Sequence, residues 1–329
     1  MRNLLLILLL IISQNWFAQK KYVLVIHGGA GTITPEMMSP EVEKEYKNKL
    51  TEALKVGYQK INNGKTSLEA IESAIIVLED SPLFNAGKGS VFSHDGINEM
   101  DASVMLGQNK KAGAVAGVTT IKNPIKAAIA VMQNSSHVLL SGKGAEEFAK
   151  EQKLQIVDRS YFWTEDRWNS LQKAILKEQN KTSYNGNNVF HNDYKYGTVG
   201  AVALDKFGNI AAGTSTGGMT NKKWNRIGDT PIIGAGTYAN ELVGVSGTGW
   251  GEFFIRSTAA RTVASKMEYQ NKDVVIASQE VIDEIEKMGG DGGLIALDKD
   301  GKIAMPFNTK GMYRGAVTDK GEIEVEIYK

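Results

Sequence analysis

The chain of 329 residues contains no cysteine, which excludes disulfide staples, thiolate catalysis, Cys-ligated zinc and a lipid anchor on Cys. The redox compartment stays open, because a core of this size needs no covalent staple. Charge of one sign is also missing. Lys and Arg number 38 against 37 Asp and Glu, a formal net charge of +1 with no long run of like charge. Electrostatics therefore give no support to a nucleic-acid partner or an anionic membrane. Histidine is scarce, and His27, His94, His137 and His191 share no metal-ligand spacing. No Gly-x-Ser-x-Gly elbow is present, although Ser246-Gly-Thr-Gly has a superficial likeness to one, so a serine triad has no support.

Long apolar runs are absent with one exception. Arg2 precedes Leu4 to Ile12, which is followed by polar Ser13-Gln14-Asn15 and then Ala18-Gln19. The run is too short to span a bilayer and has the layout of a secretory signal peptide, with cleavage expected after Ala18. Cleavage there removes Arg2 and brings the formal net charge from +1 to zero. The expectation is that residues 1–18 are a signal peptide and that the protein is exported, periplasmic or secreted, without stable membrane association.

What remains has the composition of an ordinary globular protein, with 42% hydrophobic and 23% charged residues, so a packed core is expected. Tyr22 to Ile26 reads as a buried strand that ends in His27-Gly28-Gly29-Ala30-Gly31 and there enters a tight turn. Residues 40–62 and 67–80 have helical spacing, and Asn63-Gly64-Lys65-Thr66 between them reads as a helix stop and a new N-cap rather than a P-loop. Leu83 to Ser90 is a glycine-punctuated loop, Ala112 to Thr120 a strand, and Asn123-Pro124 the opening of a helix. From about 155 to 195 the chain turns polar and reads mostly as a solvated linker, with a helix near 166–178 and disorder near 180–194.

Order returns with Thr198 to Asp205, a strand that turns back through Lys206-Phe207-Gly208-Asn209 into Ile210 to Thr216. Ala203-Leu-Asp-Lys-Phe-Gly-Asn-Ile-Ala211 recurs as Ala296-Leu-Asp-Lys-Asp-Gly-Lys-Ile-Ala304. Two such hairpins point to antiparallel ribbons, and Asp298-Lys299-Asp300-Gly301 reads as a hairpin turn rather than the start of a calcium loop. Residues 252–267 and 273–288 have helical spacing. Hairpins with paired helices fit a layered α+β sandwich. Gly28-Gly29-Ala30-Gly31 lacks the third glycine of a dinucleotide loop, so a Rossmann reading fails.

One short stretch carries chemistry. In Tyr196-Gly197-Thr198-Val199-Gly200, a threonine hydroxyl could serve as nucleophile with its own α-amine as base, once the Gly197–Thr198 bond is cut. A free α-amine has a pKa of about 7.7–8, well matched to neutral pH. To reach that state Thr198 Oγ must attack the Gly197 carbonyl and form an ester that water opens. Glycine before it permits the required backbone, and the β-branch helps aim the hydroxyl. Taken alone, however, Gly-Thr opens many strands.

The surrounding set decides the reading. Val25-Ile-His-Gly-Gly-Ala-Gly31, Pro82-Leu-Phe-Asn-Ala-Gly87, Glu99-Met-Asp-Ala102, Gly197 to Asp205 and Thr214-Ser-Thr-Gly-Gly-Met-Thr-Asn-Lys222 occur in order. Arg226-Ile-Gly-Asp229, Gly234-Ala-Gly236, Thr248-Gly-Trp-Gly-Glu252, Pro306-Phe-Asn-Thr309 and Gly311-Met-Tyr-Arg314 follow them. In these blocks the chain resembles the plant-type asparaginase/isoaspartyl peptidase family of N-terminal-nucleophile hydrolases, over nearly all of the mature chain except about 155–193. The resemblance implies a four-layer αββα sandwich. It also implies cleavage between Gly197 and Thr198 into an α subunit (19–197, ending in the polar linker) and a β subunit (198–329), and a dimer of such heterodimers.

Family roles, carried over, make Thr198 the nucleophile with Thr216 beside it, Thr248 and Gly249 the oxyanion hole, and Asn85 an orienting residue. Arg226 would grip the substrate α-carboxylate, and Asp229 with the Gly251 carbonyl its α-ammonium. Such an enzyme hydrolyses the side-chain amide of asparagine or β-aspartyl dipeptides and needs no cofactor for catalysis. The resemblance further implies a structural sodium ion on the backbone carbonyls of Leu78, Glu79, Ser81, Phe84, Ala86 and Lys88. The nearest rival is glycosylasparaginase, on the same fold; the asparaginase branch is favoured by Tyr196-Gly197 and by Gly217 to Lys222. A non-catalytic binding module is disfavoured because every expected catalytic position is intact.

Overall fold

The computed structural model describes residues 21–182 and 197–329. The expected signal peptide and the expected disorder over most of 180–194 lie outside the described residues. Among the described residues twelve strands form two sheets. They are β1 (Val23–Gly31), β2 (Met100–Leu106), β3 (Ala112–Val118), β4 (Leu139–Ser141), β5 (Val199–Leu204) and β6 (Ile210–Thr216), then β7 (Thr237–Ala239), β8 (Val243–Gly249), β9 (Gly292–Asp298), β10 (Ile303–Ala304), β11 (Gly311–Thr318) and β12 (Ile323–Tyr328). The larger sheet runs β12-β11-β1-β5-β6-β2-β3-β4 and the smaller β10-β9-β8-β7.

Alternation along the central strands separates the two cores. On β1, Leu24 and Ile26 join a cluster with Leu50, Leu54 and Ile71, while Val23 and Val25 join another with Val243, Val245 and Leu294. On β5, Ala201 and Ala203 face the first core, Val202 and Leu204 the second. A sheet buried on both faces by period-2 alternation must carry a layer on each side. On one side lie α1 (Pro40–Asn62), α2 (Ser67–Glu79) and α3 (Pro124–Asn134); on the other lies the small sheet. Beyond the small sheet pack α7 (Ala259–Gln270) and α8 (Val274–Lys287), giving the expected αββα order.

Local signals fix the boundaries. Ser39 caps α1 with Pro40 at its first position, and Asn63 and left-handed Gly64 end it. Thr66 and Glu69 form a complete capping box at the start of α2. The repeated hairpins share a device: Asp205 Oδ1 accepts from the amides of Phe207 and Asn209, and Asp298 Oδ1 from those of Asp300 and Lys302. Asp298 is thus a turn residue, whereas the tight turn expected at His27–Gly31 is corrected: these residues continue β1 past a bulge between His27 and Gly29, because Gly29, Ala30 and Gly31 pair with β11.

Two further expectations are corrected. The helical spacing over 252–267 is two helices, α6 (Gly251–Ser257) and α7, because Thr258 adopts φ 43° between them. The break frees the first amides of α7, and Ala260 and Arg261 donate to the carbonyls of Ala235 and Gly234. The stretch 155–182 is not a solvated linker. It packs as a bridge from Ile156 to Ile121, a 3-10 turn and α5 (Glu165–Thr182), while α4 (Gly142–Glu151) precedes it. Phe162 and Leu171 are buried, and Trp168 meets Phe92 edge-on at 5.3 Å. A polar average over the stretch conceals these few apolar anchors. Among the described residues no helix is long and apolar enough to cross a membrane.

Candidate active site

The period-2 rule that divides the cores also places the chemistry. Thr198 precedes β5 on the parity of Val202 and Leu204, and Thr214 and Thr216 share the parity of Ala212 on β6, so all three face the space between the sheets. Thr198 Oγ1 donates to Thr216 Oγ1 at 3.1 Å, and Thr216 Oγ1 donates to the Gly197 carbonyl at 3.1 Å. Asn85 Nδ2 donates to the same carbonyl at 2.8 Å and to the Gly218 carbonyl at 2.7 Å. The carbonyl preceding Thr198 therefore receives two side-chain donors, an arrangement that favours negative charge developing on that oxygen.

A narrow cleft is lined by Gly197, Thr198, Thr216, Arg226, Asp229 and Gly249, among others, and so joins six of the residues singled out in the sequence. Its volume is about 10 Å³, room for about one water while Gly197 stays in place. Gly251 backs the pair: a Cβ there would lie 2.8 Å from both Arg226 Nη2 and Asp229 Oδ1. Thr248 is fully buried just behind the cleft rather than among its lining residues, and its Oγ1 accepts from the Ala30 amide at 3.3 Å. That bond uses an oxygen lone pair and leaves the hydroxyl hydrogen to donate elsewhere. Gly249 has φ 143°, and a Cβ there would lie 2.4 Å from Gly292 Cα, so the close approach of β8 and β9 demands glycine.

Asp229 is buried, with no partner on Oδ2 among the described residues. Burial raises its pKa to about 6, against the opposing pull of Arg226. A buried carboxylate oxygen without a partner, lining a cleft, is matched to a cationic ligand. Arg226 does not pair with Asp229 in a simple surface bridge. Although burial acts against its charge, Arg226 is held above its ordinary value by Glu252, which accepts from Nε at 2.9 Å and Nη2 at 2.7 Å. The fork is thus already shaped for a carboxylate.

The sequence reading missed two features of this region. Glu252 was only part of a matching block. His27 stands in the sequence only at the expected turn after the strand and in another matching block, yet its Nδ1 lies 3.0 Å from the Thr198 carbonyl and its Nε2 2.9 Å from Ser246 Oγ. A carbonyl only accepts, so Nδ1 carries the proton and Nε2 accepts from Ser246. Ser246 in turn bonds Thr214 Oγ1 at 2.7 Å, and Thr214 bonds Thr237. Burial lowers the His27 pKa to about 3, so the ring is neutral and pins the Thr198 backbone without titrating near neutrality. The parity of β1, with Val23, Val25 and His27 on one face, was the available signal.

The loop from Leu78 to Lys88 stands apart from the cleft except through Asn85. Its turns are tight: a Cβ on Gly87 would lie 2.3 Å from the Glu79 carbonyl oxygen, and one on Gly89 2.0 Å from that of Phe84. The Glu79 side chain is buried and accepts from the Ile125 amide at 3.0 Å and Ser215 Oγ at 2.6 Å, and burial raises its pKa to about 8. A loop coiled around its own carbonyls supplies hard oxygen donors of the kind an alkali cation takes.

Residues 20–327 match the family model described as Asparaginase. An isoaspartyl peptidase of Salmonella typhimurium is 47% identical over 296 residues, covering 89% of this chain and 94% of the relative. The isoaspartyl peptidase of Escherichia coli is 45% identical, covering 89% and 92%. A plant-type L-asparaginase of Pyrococcus abyssi is 41% identical, covering 88% and 94%. Since the match runs unbroken through both sheets and the threonine cleft between them, the chain belongs to the asparaginase family.

Proposed function

We propose that this protein is an isoaspartyl peptidase and L-asparaginase that cuts itself before Thr198 and then uses Thr198 as its nucleophile. The observation that carries the reading is the convergence of Thr198, Thr216 and Asn85 on the Gly197 carbonyl, beside an open-handed Asp229 and the Arg226 fork. In maturation, Thr198 Oγ attacks the Gly197 carbon while Asn85 and Thr216 hold its oxygen, and the Gly197–Thr198 C–N bond breaks as its nitrogen takes up the proton that the hydroxyl gives up. Water opens the resulting ester, leaving a Gly197 carboxylate and a free Thr198 α-amine. In turnover the α-amine takes the Thr198 hydroxyl proton as Oγ attacks the substrate's side-chain amide, and the departing amine leaves with it. Water then releases aspartate. Gly249 N–H and the Thr248 hydroxyl would hold the developing oxyanion. The substrate α-carboxylate replaces Glu252 on Arg226, and its α-ammonium meets Asp229.

The relatives are named for isoaspartyl peptidase and asparaginase activity, so the glycosylasparaginase alternative is not favoured. Three further elements belong to the same proposal: export after removal of residues 1–18, assembly as a dimer of αβ heterodimers, and a structural sodium ion. The sodium would sit on backbone carbonyls of the loop Leu78–Lys88, and it would hold the loop that carries Asn85. Mass spectrometry of the purified protein tests maturation, with one chain expected to begin at Thr198. Thr198→Ala should remain a single chain and fail to hydrolyse asparagine or β-aspartyl-leucine; turnover by that variant refutes the assigned nucleophile.

A further inference from the structure

Gly197 lines a second cavity, and among the described residues it is the only one that this cavity shares with the cleft holding Arg226 and Asp229. The second cavity has a volume of about 110 Å³, against about 10 Å³ for the first. On this measure a water needs about 10–15 Å³, so the space holds several waters or part of a small organic group. Its walls include Ile33, Met38, Leu83 and Phe84, and Tyr46 and Tyr313 stack there at 4.3 Å.

One charge belongs to this apolar space. Arg167, on α5, lines the cavity and donates from Nε to the Gly89 carbonyl at 2.8 Å and from Nη2 to the Leu83 carbonyl at 3.1 Å. These bonds use two of its five N–H groups. Among the described residues no carboxylate lies within ion-pair distance of it, whereas Arg226 is bidentate with Glu252. A part-buried guanidinium with N–H groups beyond these two bonds and no counter-ion among the described residues favours an arriving anion.

Position says which anion. A substrate whose α-amino-acid head sits on Arg226 and Asp229, and whose amide carbon meets Thr198 Oγ, sends its leaving nitrogen away from the head. Once the chain is cut and Gly197 withdraws, the cavity beyond it opens to that nitrogen. We propose that this cavity is the leaving-group subsite, and that Arg167 binds the α-carboxylate of the amino acid released from a β-aspartyl dipeptide. The apolar walls then take the side chain of that amino acid, favouring leaving residues such as leucine. The inference rests on the β-aspartyl peptidase reading above. The same carboxylate chemistry could come from Gly197 itself after cleavage, and the test separates the two sources.

The matured enzyme is assayed on β-aspartyl-leucine, on its C-terminal amide, and on asparagine. A charge-assisted pair at Arg167 predicts that the free acid exceeds the amide by about 10–100-fold in kcat/KM, mostly through KM. In Arg167→Gln the preference should fall toward unity, and Arg167→Lys should restore part of it. Equal rates on acid and amide by the wild-type enzyme overturn the subsite and leave Arg167 to the Gly197 carboxylate; that arm needs no variant. A preference that persists in Arg167→Gln also overturns it. Wild-type enzyme that hydrolyses asparagine but shows no acid preference refutes the subsite alone, while failure on all three substrates refutes the activity itself.

Discussion

Replacing Thr216 by valine removes one oxygen and little volume, and that oxygen sits at the junction of the proposed maturation site. It accepts from Thr198 Oγ1 at 3.1 Å and from the Gly218 amide at 3.0 Å, and it donates to the Gly197 carbonyl at 3.1 Å. Loss of the last contact removes one of two donors on the carbonyl that must become an oxyanion, which costs about 2.7–4 kcal/mol in comparable sites. Self-cleavage of Thr216→Val should therefore slow by about 100–1,000-fold. The Gly218 amide loses its partner in a half-buried place, at a cost of about 1–3 kcal/mol in stability, which a domain stable by about 5–15 kcal/mol survives. The assay follows the full-length band and its two fragments over time, with thermal melting to verify folding. Thr216→Ser keeps the oxygen and should cleave far faster than the valine variant. A folded Thr216→Val protein that matures at the wild-type rate refutes the argument that this hydroxyl polarises the Gly197 carbonyl.

Arg226→Lys keeps the charge but loses the fork now engaged by Glu252, so KM for asparagine should rise about 10–100-fold with kcat much less changed, as measured by initial rates. Asp229 must be ionised to receive the substrate ammonium, and its pKa is raised to about 6. The carboxylate is therefore present above about pH 6 and lost below it, so kcat/KM should fall up to about tenfold per pH unit on that limb. Deprotonation of the Thr198 α-amine, at about 7.7–8, should lift the profile again toward higher pH, and a rate profile flat through both regions contradicts these roles. Gly249→Ala forces a Cβ to within 2.4 Å of Gly292 Cα at a backbone φ of 143°. It should lower stability by at least about 1–3 kcal/mol, visible as a drop in melting temperature, and abolish turnover; an unchanged melt contradicts the close packing of β8 on β9.

The amino-acid sequence by itself determined several strands, the stop and restart between the first two helices, and the family. Period-2 runs such as Val199–Leu204 admit one set of faces, Thr66 and Glu69 can close only a local box, and the ordered glycine and threonine blocks carry the family likeness. Those signals are local or block-like and need no knowledge of distant contacts. Tertiary structure alone decided the rest. The polar stretch before the nucleophile carries the helix expected near 166–178, but that it packs rather than stays solvated was decided by the burial of Phe162 and Leu171 and by the contact of Trp168 with Phe92, which an average of composition cannot register. His27 gained its role from Ser246, 219 residues away, and Glu252 from Arg226, 26 residues earlier in the chain. Only packing put Arg167 and Gly197 on one cavity, because a guanidinium's partner depends on which carbonyls and hollows surround it.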